Sequence, residues 1–269
     1  QSIMTIIKQD PVLAPMITVV TPKLSLGGIA GNFAAGVSHN VFASGVNVDD
    51  QNRMRLWDDY GSASYTPMME LGGTAPDAVV IGTGVARMLQ LCTPLKLSDC
   101  RKTETPVQDD TSVNIDTELA ALSDLEQNTI VNKGKTTIEM LAANLHGAPN
   151  VTSLDVVKAE NWGLKEFDDS YMVMHLTQAQ RLLFGRETPQ VTAIQIQLKH
   201  TAQMELAQAR LNVLLASTFK GTPLEVLRYE TLAPIYGQTI QFFDSVFGFI
   251  ATLIGVIVLF TVGNTMSMA

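Results

Sequence analysis

The last 25 residues, Ser245–Ala269 (SVFGFIATLIGVIVLFTVGNTMSMA), hold no charged side chain, and Val246–Val262 is almost wholly apolar. A helix rises about 1.5 Å per residue, so this run reaches about 36 Å, enough to cross a hydrocarbon core of about 30 Å. The alternative is a buried helix in a soluble core. Cores rarely need so long a helix that is apolar on every side. The run reads as a membrane span.

The preceding residues differ in kind. Charged residues make up 16% of the chain, and no other stretch of 18 residues is continuously apolar. A water-facing body of one or two domains followed by a single span is expected. The net charge of −8 argues against nucleic acid as a partner, because phosphate binding needs a basic face. Gln1 is not an initiator Met, no charged-then-apolar leader follows it, and the far end stops in small and polar residues. Both ends read as cut, so an internal piece of a longer protein is expected.

Positive charge is retained on the cytoplasmic flank of a span. Arg228 is the last basic residue before Ser245, and Glu230 and Asp244 lie between them. That places the body on the extracytoplasmic side. The two cysteines, Cys92 and Cys100, flank the loop CTPLKLSDC. In an oxidising compartment they would close a small ring worth about 2–3 kcal/mol on the chain-entropy model. Two unrelated thiols are the alternative, and no second Cys/His pair has the spacing of a zinc site.

Along the body, residues 2–9 predict an amphipathic helix ended by Pro11, and Met16–Val20 a strand. Pro22–Gly45, rich in Gly, Ser and Ala, predicts a meander with tight turns, and Asp49–Tyr60 a polar surface helix. Ala78–Leu91 predicts a strand entering a helix through Gly82-Thr83-Gly84. A dinucleotide fingerprint would need a third glycine where Arg87 stands, so a plain strand–turn–helix is the better reading. Residues 93–135 read as an elaborated excursion with one helical pattern at Leu119–Leu125.

Thr136–Ala142 and Val151–Ala159 predict two strands joined across His146-Gly147-Ala148-Pro149. Tyr171–Leu176 predicts another strand, and Thr177–Phe184 a helix capped by Thr177. Ile194, Ile196 and Leu198 alternate with Gln195, Gln197 and Lys199, the pattern of a half-buried strand. Thr201 then caps a helix whose apolar stripe is Met204, Ala207, Leu211, Leu214 and Leu215, and Leu224–Tyr229 reads as a returning strand. The fold class is therefore α+β. Beyond Pro234 nothing breaks the helical period, so a single rod is expected to start near Thr231 and run into the span. Gly248, Gly255 and Gly263 recur about every two turns and form a shallow face for helix packing, or reflect the general tolerance of membrane helices for glycine.

No catalytic constellation stands out. His39, His146, His175 and His200 are scattered, with no HExxH and no GxSxG elbow. The acidic pairs Asp49-Asp50, Asp58-Asp59, Asp109-Asp110 and Asp168-Asp169 are chain neighbours in polar stretches and read as solvated surface. No metal site and no cofactor is expected.

Taken together, YGQTIQFFDSVFGFIATLIGVIVLFTVGNTMSMA resembles the second membrane span of MacB/FtsX/LolC-type ABC transporter permeases. The blocks TVVTPKLSL, AVVIGTGVARMLQL, YMVMHLTQAQRLLFG and VTAIQIQLKHTAQMELAQARLNVLL are similar in order and type to that family's periplasmic domain. Residues 93–135 depart from the pattern. The resemblance implies a porter-like subdomain from 1–30 and 190–230 with βαβ elements. It also implies a Sabre-like mixed β/α insertion over 31–189, a stalk helix over 231–244 and a transmembrane helix over 245–269. It further implies a bacterial inner-membrane permease without chemistry of its own. Its partners would be a cytoplasmic ABC ATPase subunit, a second permease subunit, membrane lipid, and a periplasmic adaptor or lipoprotein cargo. Such a subunit would couple ATP hydrolysis to export, to lipoprotein or lipid extraction, or to periplasmic mechanotransmission. The competing expectation is a membrane-anchored extracytoplasmic ligand-binding or sensory domain. A tethered enzyme is the third class.

Overall fold

A computed structural model describes residues 2–61, 67–97, 136–219, 224–232 and 234–268. Helix α1 (Ser2–Gln9) ends at Asp10, whose carboxylate accepts hydrogen bonds from the backbone N–H groups of Val12 and Leu13, both at 3.0 Å. These bonds set the turn that drops Leu13, fully buried, into the interior.

Strand β1 (Ile17–Asn32) is a single strand of 16 residues, not a short strand followed by a meander. Pro22 does not interrupt it. Lys23 O accepts Thr192 N–H, so the polar groups of Lys23 face one neighbour and those of Pro22 face the opposite side. On that opposite side the next ladder begins only at Lys23, so the N–H that Pro22 lacks is not required. A 3-10 turn at Phe33–Ala35 and Gly36, with φ of +65°, return the chain as β2 (Val37–Val46).

The chain continues through α2 (Val48–Arg55), β3 (Ala78–Gly82), α3 (Thr83–Met88), β4 (Thr137–Ala143) and β5 (Pro149–Glu160). It then forms α4 (Lys165–Ser170), β6 (Tyr171–His175), α5 (Leu176–Phe184) and β7 (Ala193–Leu198). The strand pairings close into a ring, β1-β2-β6-β3-β5-β4 and back to β1. Pairs β2/β6 and β3/β5 are parallel and the others antiparallel. β7 lies outside the ring, antiparallel to the first half of β1.

The period-2 pattern explains why the ring closes around an apolar interior. Leu24, Leu26, Val79, Ile81, Ile138, Met140, Leu154, Met172 and Met174 point to one cluster, which α3 and α5 complete with Val85, Leu89, Ala179 and Leu182. Alternate residues of β3 and β6, Ala78, Val80 and Val173, point the other way, into a second cluster with Leu71 and Met69. β3 is thus buried on both faces, as its uninterrupted run AVVIG requires. At Gly28 a Cβ would meet Leu141 O at 2.5 Å, so only glycine lets β1 approach β4.

Chain contacts divide the protein into Gln1–Met204 and Glu205–Ala269. In the second unit α6 (Met204–Thr218) buries Ala207 and Leu211, two members of the expected stripe. The strand expected at Leu224–Tyr229 is absent. Leu224–Arg228 has no regular structure, and Tyr229–Leu232 is a helical turn, α7. A strand exists only through its ladder, which apolar composition alone does not supply. The helix α8 begins at Pro234, where the missing N–H is not needed, and runs unbroken to Met268. The expected cap of α5 also shifts. His175, not Thr177, occupies the N-cap position, without a side-chain cap bond.

Candidate functional site: the apolar rod and the polar seam

α8 is 35 residues long, about 52 Å at the standard rise. Within it Gly237–Ser267 is the one helix, among the described residues, long and apolar enough to cross a membrane, and none of it is buried. Four of its hydroxyls bond within the helix. Ser245 donates to Gln241 O (2.8 Å), Thr252 to Gly248 O (2.8 Å), Thr261 to Ile257 O (2.8 Å) and Thr265 to Thr261 O (2.7 Å). Backbone carbonyls thereby take up polar groups that lipid could not. At 100° per residue, Gly248, Gly255 and Gly263 lie within about 80° of one another around the axis. A Cβ at any of them would meet nothing within 4 Å.

In the first unit, the segment after β2 lies against β7 and the turn that follows it. Asn47 caps α2 by accepting Asp50 N–H at 3.2 Å. Trp57 Nε1 donates to Lys199 O at 3.0 Å. One Asp59 oxygen takes His200 Nδ1 and the other takes Thr201 N–H, each at 2.7 Å. The Thr201 amide, and after it the His200 ring, hold the Asp59 carboxyl below its usual range.

The four histidines are not brought together. His39 Nε2 meets Asp169 O (2.9 Å), His146 pairs with Glu187 (2.8 Å), and His200 with Asp59. His175 Nε2 lies 3.0 Å from Thr74 Oγ1, whose own proton goes to Leu71 O, so the imidazole nitrogen is the donor. Burial pushes the His175 pKa down, partly offset by the Asp77 charge. No group of three His, Cys, Asp or Glu able to hold a metal occurs among the described residues.

The Gly82-Thr83-Gly84 turn has a packing role. A Cβ on Gly82 would lie 2.9 Å from Asp168 Cα, and one on Gly84 would lie 2.7 Å from Asp169 Cα. These glycines let α4 cross the β3–α3 junction. Asp168 is itself buried, with one oxygen accepting Trp162 N–H at 2.7 Å. Of the expected disulfide, Cys92 is not a free thiol, while Cys100 lies outside the described residues. The excursion expected at 93–135 lies outside them from 98 onward, as does the Leu119–Leu125 pattern. The contacts between Gln51–Asp59 and Gln195–Thr201 escaped sequence reasoning. Their only signal was a tryptophan and a carboxylate inside an otherwise solvated stretch.

The chain is similar to a solved structure. The extracellular domain of the noncanonic ABC-type transporter YknZ from Gram-positive bacteria matches 81% of this chain and 82% of its own length. The identity is 12% and the TM-score 0.40. The neighbour is the outer domain of an ABC-type transporter. No family model and no curated protein sequence matches this chain.

Proposed function

We propose that the chain is the extracytoplasmic body and following membrane helix of a permease subunit in a MacB/FtsX-like ABC transporter of a bacterial inner membrane. The observation that carries this reading is α8, a 35-residue helix in which an uncharged span is continuous with a polar, water-compatible start. An unbroken helix transmits displacement along its axis, because its hydrogen-bonded turns resist bending. Such a rod suits a subunit that relays work across the bilayer. In this reading a cytoplasmic ABC ATPase hydrolyses ATP, and a second permease subunit pairs with this one. The outer body then serves export, lipoprotein or lipid extraction, or mechanotransmission to a periplasmic adaptor. The pairing of Ile17–Lys23 with Ala193–Leu198 supports a porter-like subdomain drawn from 1–30 and 190–230. The Sabre-like 31–189, the stalk 231–244, the Cys92–Cys100 ring and the glycine packing face belong to the same proposal.

The test has two arms on the full-length protein in its native membrane. A cysteine placed at exposed Ser38 (Ser38→Cys, with Cys92 and Cys100 replaced) should react with a membrane-impermeant thiol reagent added to intact spheroplasts. Affinity capture after mild solubilisation should return an ABC ATPase with ATP-hydrolysing activity. Protection of residue 38 from the reagent would overturn the topology. Capture without an ATPase would overturn the transporter role and leave an anchored sensory domain.

A further inference from the structure

Polar links stitch Gln51–Asp59 to Gln195–Thr201 in steady register. Gln51 Nε2 donates to Gln195 Oε1 at 2.8 Å, and Gln197 Nε2 donates to Met54 O at 3.0 Å. Trp57 Nε1 reaches Lys199 O, and Asp59 takes both His200 and the Thr201 amide. The sequence separation stays between 141 and 144 from the first link to the last. The two segments therefore lie side by side and run in the same direction.

This seam differs in kind from the ring beside it. The ring is closed by aliphatic side chains buried to a few per cent exposure or less, and water offers nothing in exchange for them. Along the seam, by contrast, Gln51, Met54, Trp57 and Asp59 are only half-buried, and Lys199 and His200 are exposed. Water can take over each polar link as it opens, so separation of the seam costs far less than opening the ring. β7 also stands outside the ring and pairs only with β1, and the seam's last link falls on the turn Thr201–Gln203 immediately before α6.

We propose that the seam is a releasable latch. Closed, it holds β7 and the Thr201–Gln203 turn against the Gln51–Asp59 segment. Open, it lets the Gln51–Asp59 segment and the Thr201–Gln203 turn part, while the six-stranded ring stays shut and β7 keeps its ladder with β1. The latch does not depend on the permease reading, because every group in it lies within the first compact unit.

Amide hydrogen exchange on the intact protein in lipid nanodiscs, with mass-spectrometric readout at peptide and residue level, tests the latch. Wild type is compared with Asp59→Ala, which cuts the last two links, and with Trp57→Phe, which removes one donor and keeps the ring system. Both variants should exchange at least tenfold faster at the Thr201–Gln203 turn and across Gln51–Asp59, including Gln51 at the far end, with β3, β6 and the β1-paired β7 unchanged. If only Thr201 responds, because its acceptor has been deleted, the links are independent and there is no latch. If β3 and β6 accelerate equally, the seam is part of the global fold and the proposal fails. Trp57→Phe alone decides the matter if Asp59→Ala does not fold.

Discussion

Gly82→Ala sets two physical effects against each other with opposite signs. Gly82 has φ −66° and ψ 149°, a conformation alanine adopts freely. Considered as backbone alone, the substitution should stabilise the protein by about 0.4–1 kcal/mol through reduced freedom of the unfolded chain. The packing says otherwise. The new methyl carbon would lie 2.8 Å from Asp168 C and 2.9 Å from Asp168 Cα, where ordinary contact begins at 3.4 Å. α4 must then retreat by at least about 0.5 Å, and being backbone it has no flexible end to give way. Such overpacking costs about 1–3 kcal/mol. The retreat also strains the Trp162 N–H bond to Asp168 and the His39 bond to Asp169 O.

A net loss of about 1–2 kcal/mol is expected, a fall in Tm of about 2–8 °C for a unit of this size. Urea unfolding followed by Trp162 fluorescence reads it close to the lesion, since Trp162 packs edge-on to Tyr171 at 5.1 Å. Gly27→Ala is the control. Its methyl would meet only the flexible ring of Phe42 at 4.0 Å, and the change should stay within about 0.5 kcal/mol. If Gly82→Ala is as stable as Gly27→Ala, or more so, the close-approach account is refuted. Stabilisation of the wild-type protein by a dinucleotide would refute it from the other side, by returning the turn to phosphate binding.

Two further outcomes follow from the titrating and apolar groups. The His175 pKa is lowered below 6.5 in the folded protein, so in the interval between the folded and unfolded values the unfolded chain binds more protons. That contribution is fully present above about pH 6.5 and is lost as pH falls through the folded value. The urea midpoint should drop on acidification from pH 7.5 toward 5, and His175→Gln should remove that part of the slope; an equal slope in the variant would exclude His175 as its source. In α8, Leu253→Arg places a charge mid-span at a cost of about 2.5–3.5 kcal/mol of insertion free energy. Expressed as Gln1–Ala269 alone, the variant should be released by carbonate extraction far more than the wild type, and equal release would show that α8 does not span.

What could be read in the chain, and what could not, divides by distance along it. The long apolar run from Ser245 was visible because length and composition are local properties, and α8 carries it without a break to Met268. Alternation predicted β7, and apolar spacing predicted α6, because both periods are properties of a few consecutive residues. The ring was not legible, since closing it pairs β1 with β4 across more than a hundred residues, and no local pattern states which strand comes next. Pro22 reads locally as a break, yet the tertiary ladder spares it by starting one residue later. Gly82 and Gly84 resemble a phosphate turn until α4 is seen lying against them. Asp59 reads as solvated surface and His200 as one of four scattered histidines until folding sets them 2.7 Å apart. Composition and period are short-range and survive in sequence, whereas pairing and close approach are settled only when distant segments compete for the same space.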